Sequence, residues 1–322
     1  MKLHQIRDFL AVARSGSLRA ASRELELSQP SISKSIQQLE NTLGAPLFER
    51  SIKGVSLTPF GEVFLTRGRA ALNELQRAQE EIHQLRGVDG GQVSAALTGI
   101  PLMTLLPAAL SRFRRLFPNA NVRVVERRHD TTLADIREGT LDFAVMPSST
   151  LPDGLVAEVI LRDQNVVIGR SGHPLRKVSS LRELLGAAWV VTRRQGEQAA
   201  EFEANFLLQS LPAPKVEVHC ESVVGVISLI VNSDLLGYLP RRWVTAGIVR
   251  DLLEEIPAGA PVEATPICLV RKAGMPLTPA AQAFANAITI EAEALAGPGE
   301  MNGRRNIQTA RQAQIIRRAC GP

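Results

Sequence analysis

The segment 28–37 gathers Ser28, Gln29, Pro30, Ser31, Ser33, Lys34 and Gln37. Side-chain amides and hydroxyls bond to base edges and phosphates when a helix lies in a DNA major groove, and a lysine adds positive charge there. A little further on, Arg50 and Lys53 border a short turn that would set both cations beside a phosphate backbone. A second set of residues is scattered through the rest of the chain. Thr98, Gly99 and Ile100 follow one apolar run, and Pro101 and Met103 begin a helix after it. Thr131 and Thr132 open another helix, and Pro147 and Ser148 follow a further apolar run. Thr192 and Arg193 come after the run at Trp189, and Glu221 and Ser222 precede an apolar helix. Open α/β sheets bind ligands beyond the carboxyl ends of their strands. Hydroxyls and unpaired N–H groups at helix starts suit an anion, and Arg193 would add a charged hydrogen bond to a carboxylate or sulfonate. Taken singly, each Thr or Ser is better read as a helix cap, and Arg193 beside Arg194 reads equally as a solvated pair. Only the cluster points to a ligand.

The first set needs helices to present it. Residues 3–14 read as an amphipathic helix with Leu3, Ile6, Leu10 and Ala13 near one face. Ser17 caps a second helix over 18–25. Ser28 caps a third, with Pro30 in its first turn, where a missing N–H does no harm. Ile32, Ile36 and Leu39 point inward from this helix, and Gly44 stops it. Two short helices with a tight turn, the second opening on polar side chains, describe a helix-turn-helix. A small helical bundle with solvated polar residues has the same spacing. Residues 47–50 and 55–58 form a hairpin-like wing around a turn at 51–54. Residues 58–86 read as one long helix, with Leu65, Leu72, Leu75 and Ile82 at seven-residue spacing and Gly68 and Gln79 in the remaining seam positions. Such a seam pairs with a second subunit or lies on its own domain.

Residues 87–91, Gly-Val-Asp-Gly-Gly, make a linker, and beyond it strands and helices alternate. Strands are expected at 93–97, 121–126 and 143–146, with helices at 102–117 and 132–138. A second unit opens with a strand at 163–169 and continues with strands at 189–191, 216–219 and 236–239 and helices at 198–209 and 223–231. A strand at 266–271 returns to the first unit, and a helix at 279–296 follows. This βαβ rhythm predicts parallel sheets with helices on their faces, in two α/β lobes that leave a cleft.

The 322 residues carry a formal charge of +5, with 45 % apolar and 21 % charged residues. These values exclude a largely disordered chain, a collagen and a pure coiled coil. The excess charge is uneven: residues 91–300 are slightly acidic, and 301–322 hold five arginines and no acid. Residues 90–111 carry no charge, but their glycines and prolines break any membrane-spanning helix, and a buried strand and helix start fit them better. Three cysteines, far apart, exclude a disulfide scaffold and fit a reducing compartment. With no secretory signal visible, a cytoplasmic location is expected. The segment 169–173, Gly-Arg-Ser-Gly-His, lacks the final glycine of a nucleophile elbow. There is no Walker loop or dinucleotide fingerprint, and His4, His83, His129, His173 and His219 have no metal-ligand spacing. No cofactor or metal is therefore expected. The alternative of a cleft enzyme with an appended helical domain needs a nucleophile–base pair or a metal cluster, and neither is visible.

Several submotifs occur in order. They are 16–22, Gly-Ser-Leu-Arg-Ala-Ala-Ser; 27–33, Leu-Ser-Gln-Pro-Ser-Ile-Ser; 36–40, Ile-Gln-Gln-Leu-Glu; 43–50, Leu-Gly-Ala-Pro-Leu-Phe-Glu-Arg; and 57–61, Leu-Thr-Pro-Phe-Gly. Together they resemble the N-terminal winged helix-turn-helix of LysR-type transcriptional regulators. Phe60 stands where most members have a small residue. More loosely, Leu105-Leu106-Pro107, Phe117-Pro118, 139–145 and Gly237-Tyr238-Leu239-Pro240 resemble that family's effector-binding domain. The resemblance covers about residues 1–298. It implies a winged helix-turn-helix over 1–62 and a linker and dimerisation helix over 63–90. It further implies an effector domain over 91–298 that resembles periplasmic binding proteins, with lobe I about 91–162 and 265–298 and lobe II about 163–264. The basic tail at 299–322 lies outside it. The implied partners are double-stranded DNA, a small-molecule effector between the lobes, RNA polymerase, and further copies of the chain in a homodimer or homotetramer.

Overall fold

The computed structural model describes residues 1–51, 54–86, 90–192, 199–245, 247–259 and 261–296. The basic tail at 299–322 lies outside them. The chain forms two compact units. One holds residues 1–96, 116–144 and 271–283, and the other holds 97–115, 145–270 and the described residues from 284 onward.

In the first unit, α1 (Leu3–Ser15), α2 (Leu18–Glu24) and α3 (Gln29–Leu43) open the chain. Their caps are those the sequence calls for. Ser17 Oγ accepts from Ala20 N, Ser28 Oγ accepts from Ser31 N, and Gly44 ends α3 in the left-handed conformation. Ala11, Val12, Ala21, Ile32 and Ile36 form one buried cluster, and Phe9, Leu39 and Leu47 a second. Strands β1 (Phe48–Ser51) and β2 (Gly54–Leu57) pair antiparallel, with Phe48 opposite Leu57 and Ser51 opposite Gly54. Ser51 and Gly54, expected within the turn at 51–54, belong to the ladder instead, and residues 52–53 lie outside the described residues.

Helix α4 (Pro59–Leu85) is capped by Thr58, whose Oγ1 accepts from Gly61 N at 3.0 Å. Phe9 of α1 meets Phe48 of the wing at 4.9 Å and Phe64 of α4, edge-on, at 5.0 Å. One aromatic cluster thus joins the helices, the wing and the long helix.

The region after α4 begins with β3 (Gln92–Leu97), which pairs in parallel with β4 (Asn121–Val125). With β5 (Phe143–Pro147), β6 (Leu155–Leu161) and β13 (Ile267–Lys272), they form a five-stranded sheet in the order β4-β3-β5-β13-β6. The returning strand at 266–271 is thus present, one residue displaced. Between β3 and β4 lie a π-type turn, Pro101–Leu105, and helix α5 (Leu106–Leu116). The helix expected over 102–117 is thus divided, with Pro107 in the first turn of its α-helical part, where proline is tolerated. Helix α6 (His129–Glu138) starts three residues earlier than expected.

The other region has β7 (Gln164–Arg170), β8 (Trp189–Val191), α7 (Ala199–Leu207), β9 (Val216–His219), α8 (Val223–Val231) and β10 (Gly237–Pro240). These are followed by α9 (Arg242–Thr245), β11 (Leu253–Ile256) and β12 (Val262–Glu263). Strand β7 pairs with β10, β11 and β12, all antiparallel, so the parallel expectation fails here. Among the described residues of this region, β8 pairs with β9 in parallel, and Trp189 makes a parallel bridge to Leu236. The core is built on Trp189, with Leu181, Leu184, Phe202, Phe206 and Leu236 around it. The last helix, α10 (Pro279–Leu295), packs Phe284 on Phe113 of α5, with ring centroids 5.2 Å apart. Among the described residues, no helix is long and apolar enough to cross a membrane.

Candidate functional site

Helix α3 has two faces. Ile32, Ser35, Ile36 and Leu39 are buried, whereas Gln29, Pro30, Ser31, Lys34 and Gln37 are exposed and Ser33 is half-buried. Ser28 is exposed too, but its hydroxyl is engaged as the cap, 3.3 Å from Ser31 N. The apolar residues recur at three and four positions, so burying them turns the intervening amides, hydroxyls and ammonium outward. The far end of α3 is tied to the wing, because the Glu40 carboxylate accepts from Leu47 N at 2.7 Å and Phe48 N at 3.2 Å. Val55 N of the wing donates to Gly16 O at 3.1 Å. Helix, turn and wing are thus held together by backbone-anchored bonds. The Arg50 side chain and Lys53 lie outside the described residues.

A second group of polar and strained positions lies where β3 ends. Thr98 N donates to Val145 O at 3.2 Å, which joins the ends of β3 and β5. Its Oγ1 is buried and has no hydrogen-bond partner. Gly99 has φ +58, and a Cβ there would stand 3.8 Å from Cζ2 of Trp243. Ile100 is buried, and its carbonyl accepts from Thr104 Oγ1 at 2.8 Å. Pro101 and Met103 belong to the π-type turn, a geometry that often marks functional sites. Met103 also faces Gly247, where a Cβ would come within 2.6 Å of its Cε. Trp243 and Gly247 were not anticipated. The aromatic in a short helix just after Gly237–Pro240 was the available signal.

The other expected ligand residues are placed differently. Pro147 is half-buried at the end of β5. Ser148 is buried, its N–H bound to Pro266 O at 3.0 Å and its carbonyl accepting from Cys268 Sγ at 3.4 Å. Thr131 and Thr132 do not open α6, which starts at His129. Thr131 is exposed in its first turn, and Thr132 is fully buried with Oγ1 donating to Arg128 O at 2.9 Å, as helical threonines do. Thr192 is half-buried after β8, Glu221 is exposed, and Ser222 caps α8, accepting from Gly225 N at 3.2 Å. Arg193 lies outside the described residues. Burial pushes the Cys268 thiol up to about 11, which leaves it a thiol rather than a nucleophilic thiolate. Among the described residues no His, Cys, Asp and Glu group can hold a metal ion.

Helix α4 has a polar face the sequence did not reveal. Arg77 Nη2 donates to Gly139 O at 3.2 Å and Leu141 O at 2.9 Å, and stands 3.0 Å from Asp142 Oδ1. Asp142 Oδ2 in turn accepts from Ser94 N at 2.8 Å. Arg69 pairs with Glu138 at 2.8 Å, and Asn73 Nδ2 donates to Glu138 O at 2.8 Å. Near the end of α4, Gln84 Oε1 accepts from Ala280 N at 3.0 Å. Burial pushes the Asp142 carboxyl above its usual range, against the pull of Arg77 and the Ser94 N–H. The Glu80 carboxyl is also raised, chiefly by burial. By contrast, Val63, Leu75, Ile82 and Leu85 of the same helix are exposed. Gly68 is not an open seam position, since it is buried against Ile6 of α1.

Residues 3–62 match the family described as bacterial regulatory helix-turn-helix protein, lysR family, and residues 86–292 match the LysR substrate binding domain. The SDS degradation transcriptional activation protein of a Pseudomonas species is 30% identical over 90% of this chain and 96% of its own. The HTH-type transcriptional regulator GalR of Pseudomonas putida is 28% identical over 86% of this chain and 70% of its own. Among solved structures, full-length CbnR complexed with target DNA is similar with a TM-score of 0.65 at 22% identity, covering 90% of this chain and 100% of that one. LysG from Corynebacterium glutamicum with bound effector Arg has a TM-score of 0.64 at 18% identity, covering 91% and 99%. These two likenesses establish the fold, and the family consists of regulators, not enzymes. The chain belongs to the LysR family of DNA-binding transcriptional regulators, with an N-terminal helix-turn-helix and an effector-binding domain.

Proposed function

We propose that α3 reads an operator through Gln29, Ser31, Ser33, Lys34 and Gln37, with Ser28 and Pro30 fixing its N-terminal turn and Arg50 and Lys53 meeting phosphates. The observation that carries this reading is the two-faced burial of α3: its apolar residues are inside and its hydrogen-bonding residues outside. Residues 1–62 form the DNA-binding domain, 63–90 the linker and 91–298 the effector domain. The exposed Val63, Leu75, Ile82 and Leu85 favour a dimer through α4, and a dimer sets two recognition helices on two half-sites. On this reading the chain also assembles as a homotetramer, contacts RNA polymerase and works in the cytoplasm, as the resemblance implies.

The regulating ligand is a small organic anion held by Thr98–Met103 with Pro147, Thr192, Arg193, Glu221 and Ser222. The buried, unpartnered Thr98 Oγ1 supports this assignment, since such a group stands ready for a polar partner. The ligand shifts DNA binding only if it binds one arrangement of the protein better than another.

Selecting bound duplexes from genomic fragments tests both parts, run alone and with aromatic acids, sulfonates, sugar acids or neutral sugars. The expected result is enrichment of paired half-sites spaced by about 10 base pairs or a multiple, altered by an anion. No enrichment over random fragments contradicts the DNA reading, and a response to neutral sugars alone contradicts the anion.

A further inference from the structure

Two kinds of contact hold α3 against α1. The first is apolar packing of Ile32 and Ile36 with Ala11 and Val12, and of Leu39 with Phe9. Such packing is strong but non-directional, so it leaves rotation and sliding of the helix weakly specified. The second is polar. Ser35 Oγ donates to Asp8 Oδ2 at 2.5 Å, and Gln5 Nε2 donates to Gln38 Oε1 at 3.3 Å. Gln5 and Asp8 are about one turn apart on α1, as are Ser35 and Gln38 on α3, so the two bonds form one short antiparallel ladder.

Asp8 and Ser35 are 2% and 7% exposed, and Asp8 Oδ1 has no hydrogen-bond partner. A buried carboxylate with one oxygen unmatched is an expensive group, and an apolar pair of similar size would serve stability at least as well. Stability alone therefore does not account for the pair. Its geometry accounts for more: a hydrogen bond to a carboxylate is directional, and Ser35 sits beside Lys34 and one turn from Ser31. A slip of α3 by one residue would move those side chains by about 1.5 Å and turn them by about 100°. A working site tolerates roughly 0.5 Å.

We propose that Asp8 is a positioning residue for base recognition, which through its buried hydrogen bond to Ser35 fixes the rotation and axial position of α3. This rests on the assignment of α3 as the DNA-reading helix.

The test uses the full chain, the duplex that the wild-type protein selects, and a random duplex. Ser35→Ala is expected to lower the thermal midpoint, because it strands the Asp8 carboxylate. The double variant Asp8→Ala with Ser35→Ala is expected to regain the wild-type midpoint or exceed it. Both variants are expected to lose about 10-fold in the ratio of selected-duplex to random-duplex affinity, within the range of one mismatched base pair. Random-duplex affinity, which phosphates dominate, stays unchanged. Ser35→Thr, which retains the hydroxyl, keeps the wild-type ratio. A double variant with wild-type midpoint and wild-type ratio overturns the proposal, as does one no more stable than Ser35→Ala, since the pair is then only a fold contact. If the wild-type chain selects no duplex, the assignment of α3 itself fails, and that is seen before any variant is made.

Discussion

Arg77→Met is expected to lower the unfolding free energy by about 3 kcal/mol at neutral pH, the lower end of what breaking a buried ion pair costs. The side chains of Arg77 and Asp142 are only 16% and 10% exposed, so solvent screens them little. The substitution removes the charge facing Asp142 and the bonds to the Gly139 and Leu141 carbonyls. Asp142 then remains in a buried site with only the Ser94 N–H to stabilise its charge.

The pH dependence has a definite sign. The folded-state Asp142 carboxyl already lies above its ordinary 3.8, with burial the largest cause, and loss of Arg77 raises it further. An acid whose folded value exceeds its unfolded one takes up a proton more readily when folded. Its contribution is therefore most favourable below the unfolded value and declines as pH rises through the raised folded value. The loss in Arg77→Met should accordingly be largest near neutrality and shrink toward about pH 4. Asp142→Asn keeps an amide oxygen for Ser94 N but turns its NH2 toward the Arg77 guanidinium, which loses its counter-charge, so it should cost about 2 kcal/mol with little change across this pH range. Urea unfolding of both variants across pH checks this; a loss in Arg77→Met that does not change with pH contradicts it.

Gly61→Ala should be about as damaging, for steric reasons. A Cβ at Gly61 would lie 2.1 Å from the Leu47 carbonyl oxygen and 2.9 Å from Leu57 Cδ2. That carbonyl already accepts from Thr58 N at 3.0 Å, so backbone bonded on both sides must shift. Overpacking of this kind costs about 3 kcal/mol, against a gain of about 1 kcal/mol from replacing a helical glycine. The region that fails is the junction of helices, wing and α4, so DNA binding should fall with the thermal midpoint. Gly68→Ala is the control, because its Cβ would meet side chains rather than backbone, Ile6 at 3.2 Å, which can give, and Phe64 at an ordinary 3.5 Å. A Gly61→Ala protein as stable as Gly68→Ala contradicts the packing argument.

Much of the first 86 residues was legible because each helix combines a 3.6-residue apolar period with a local cap. Ser17, Ser28 and Thr58 all bond within their own first turn, a contact that sequence spacing encodes directly. The effector region was less legible where pairing is remote. Strand β6 alternates buried and less buried positions over 155–161, a period-two signal that went unread. The antiparallel pairing of β7 depends on partners about seventy to ninety residues away, which no local pattern reports.

The same distance hid the polar contacts. Arg77 and Leu141 are 64 positions apart, and Asp8 and Ser35 are 27 apart. A lone Arg on a helix or Asp beside an apolar face reads as solvated until the fold supplies its partner. Beside the proposed ligand residues Thr98–Met103 stand Trp243 and Gly247, which come from a later part of the chain that the strand-end rule does not report. Thr132 was misjudged because α6 begins earlier and turns that hydroxyl onto its own helix.

The central claim is that the outward face of α3 touches bases, and competition binding of Gln29→Ala measures it most directly. Affinity for the duplex selected by the wild-type chain should fall by about 10- to 100-fold, the range of one lost bidentate base contact. Random-duplex affinity and the salt dependence of binding should stay at wild-type values, because phosphate contacts are untouched. Equal losses on both duplexes, or no loss on either, would contradict the assignment of Gln29 and its helix face to base recognition.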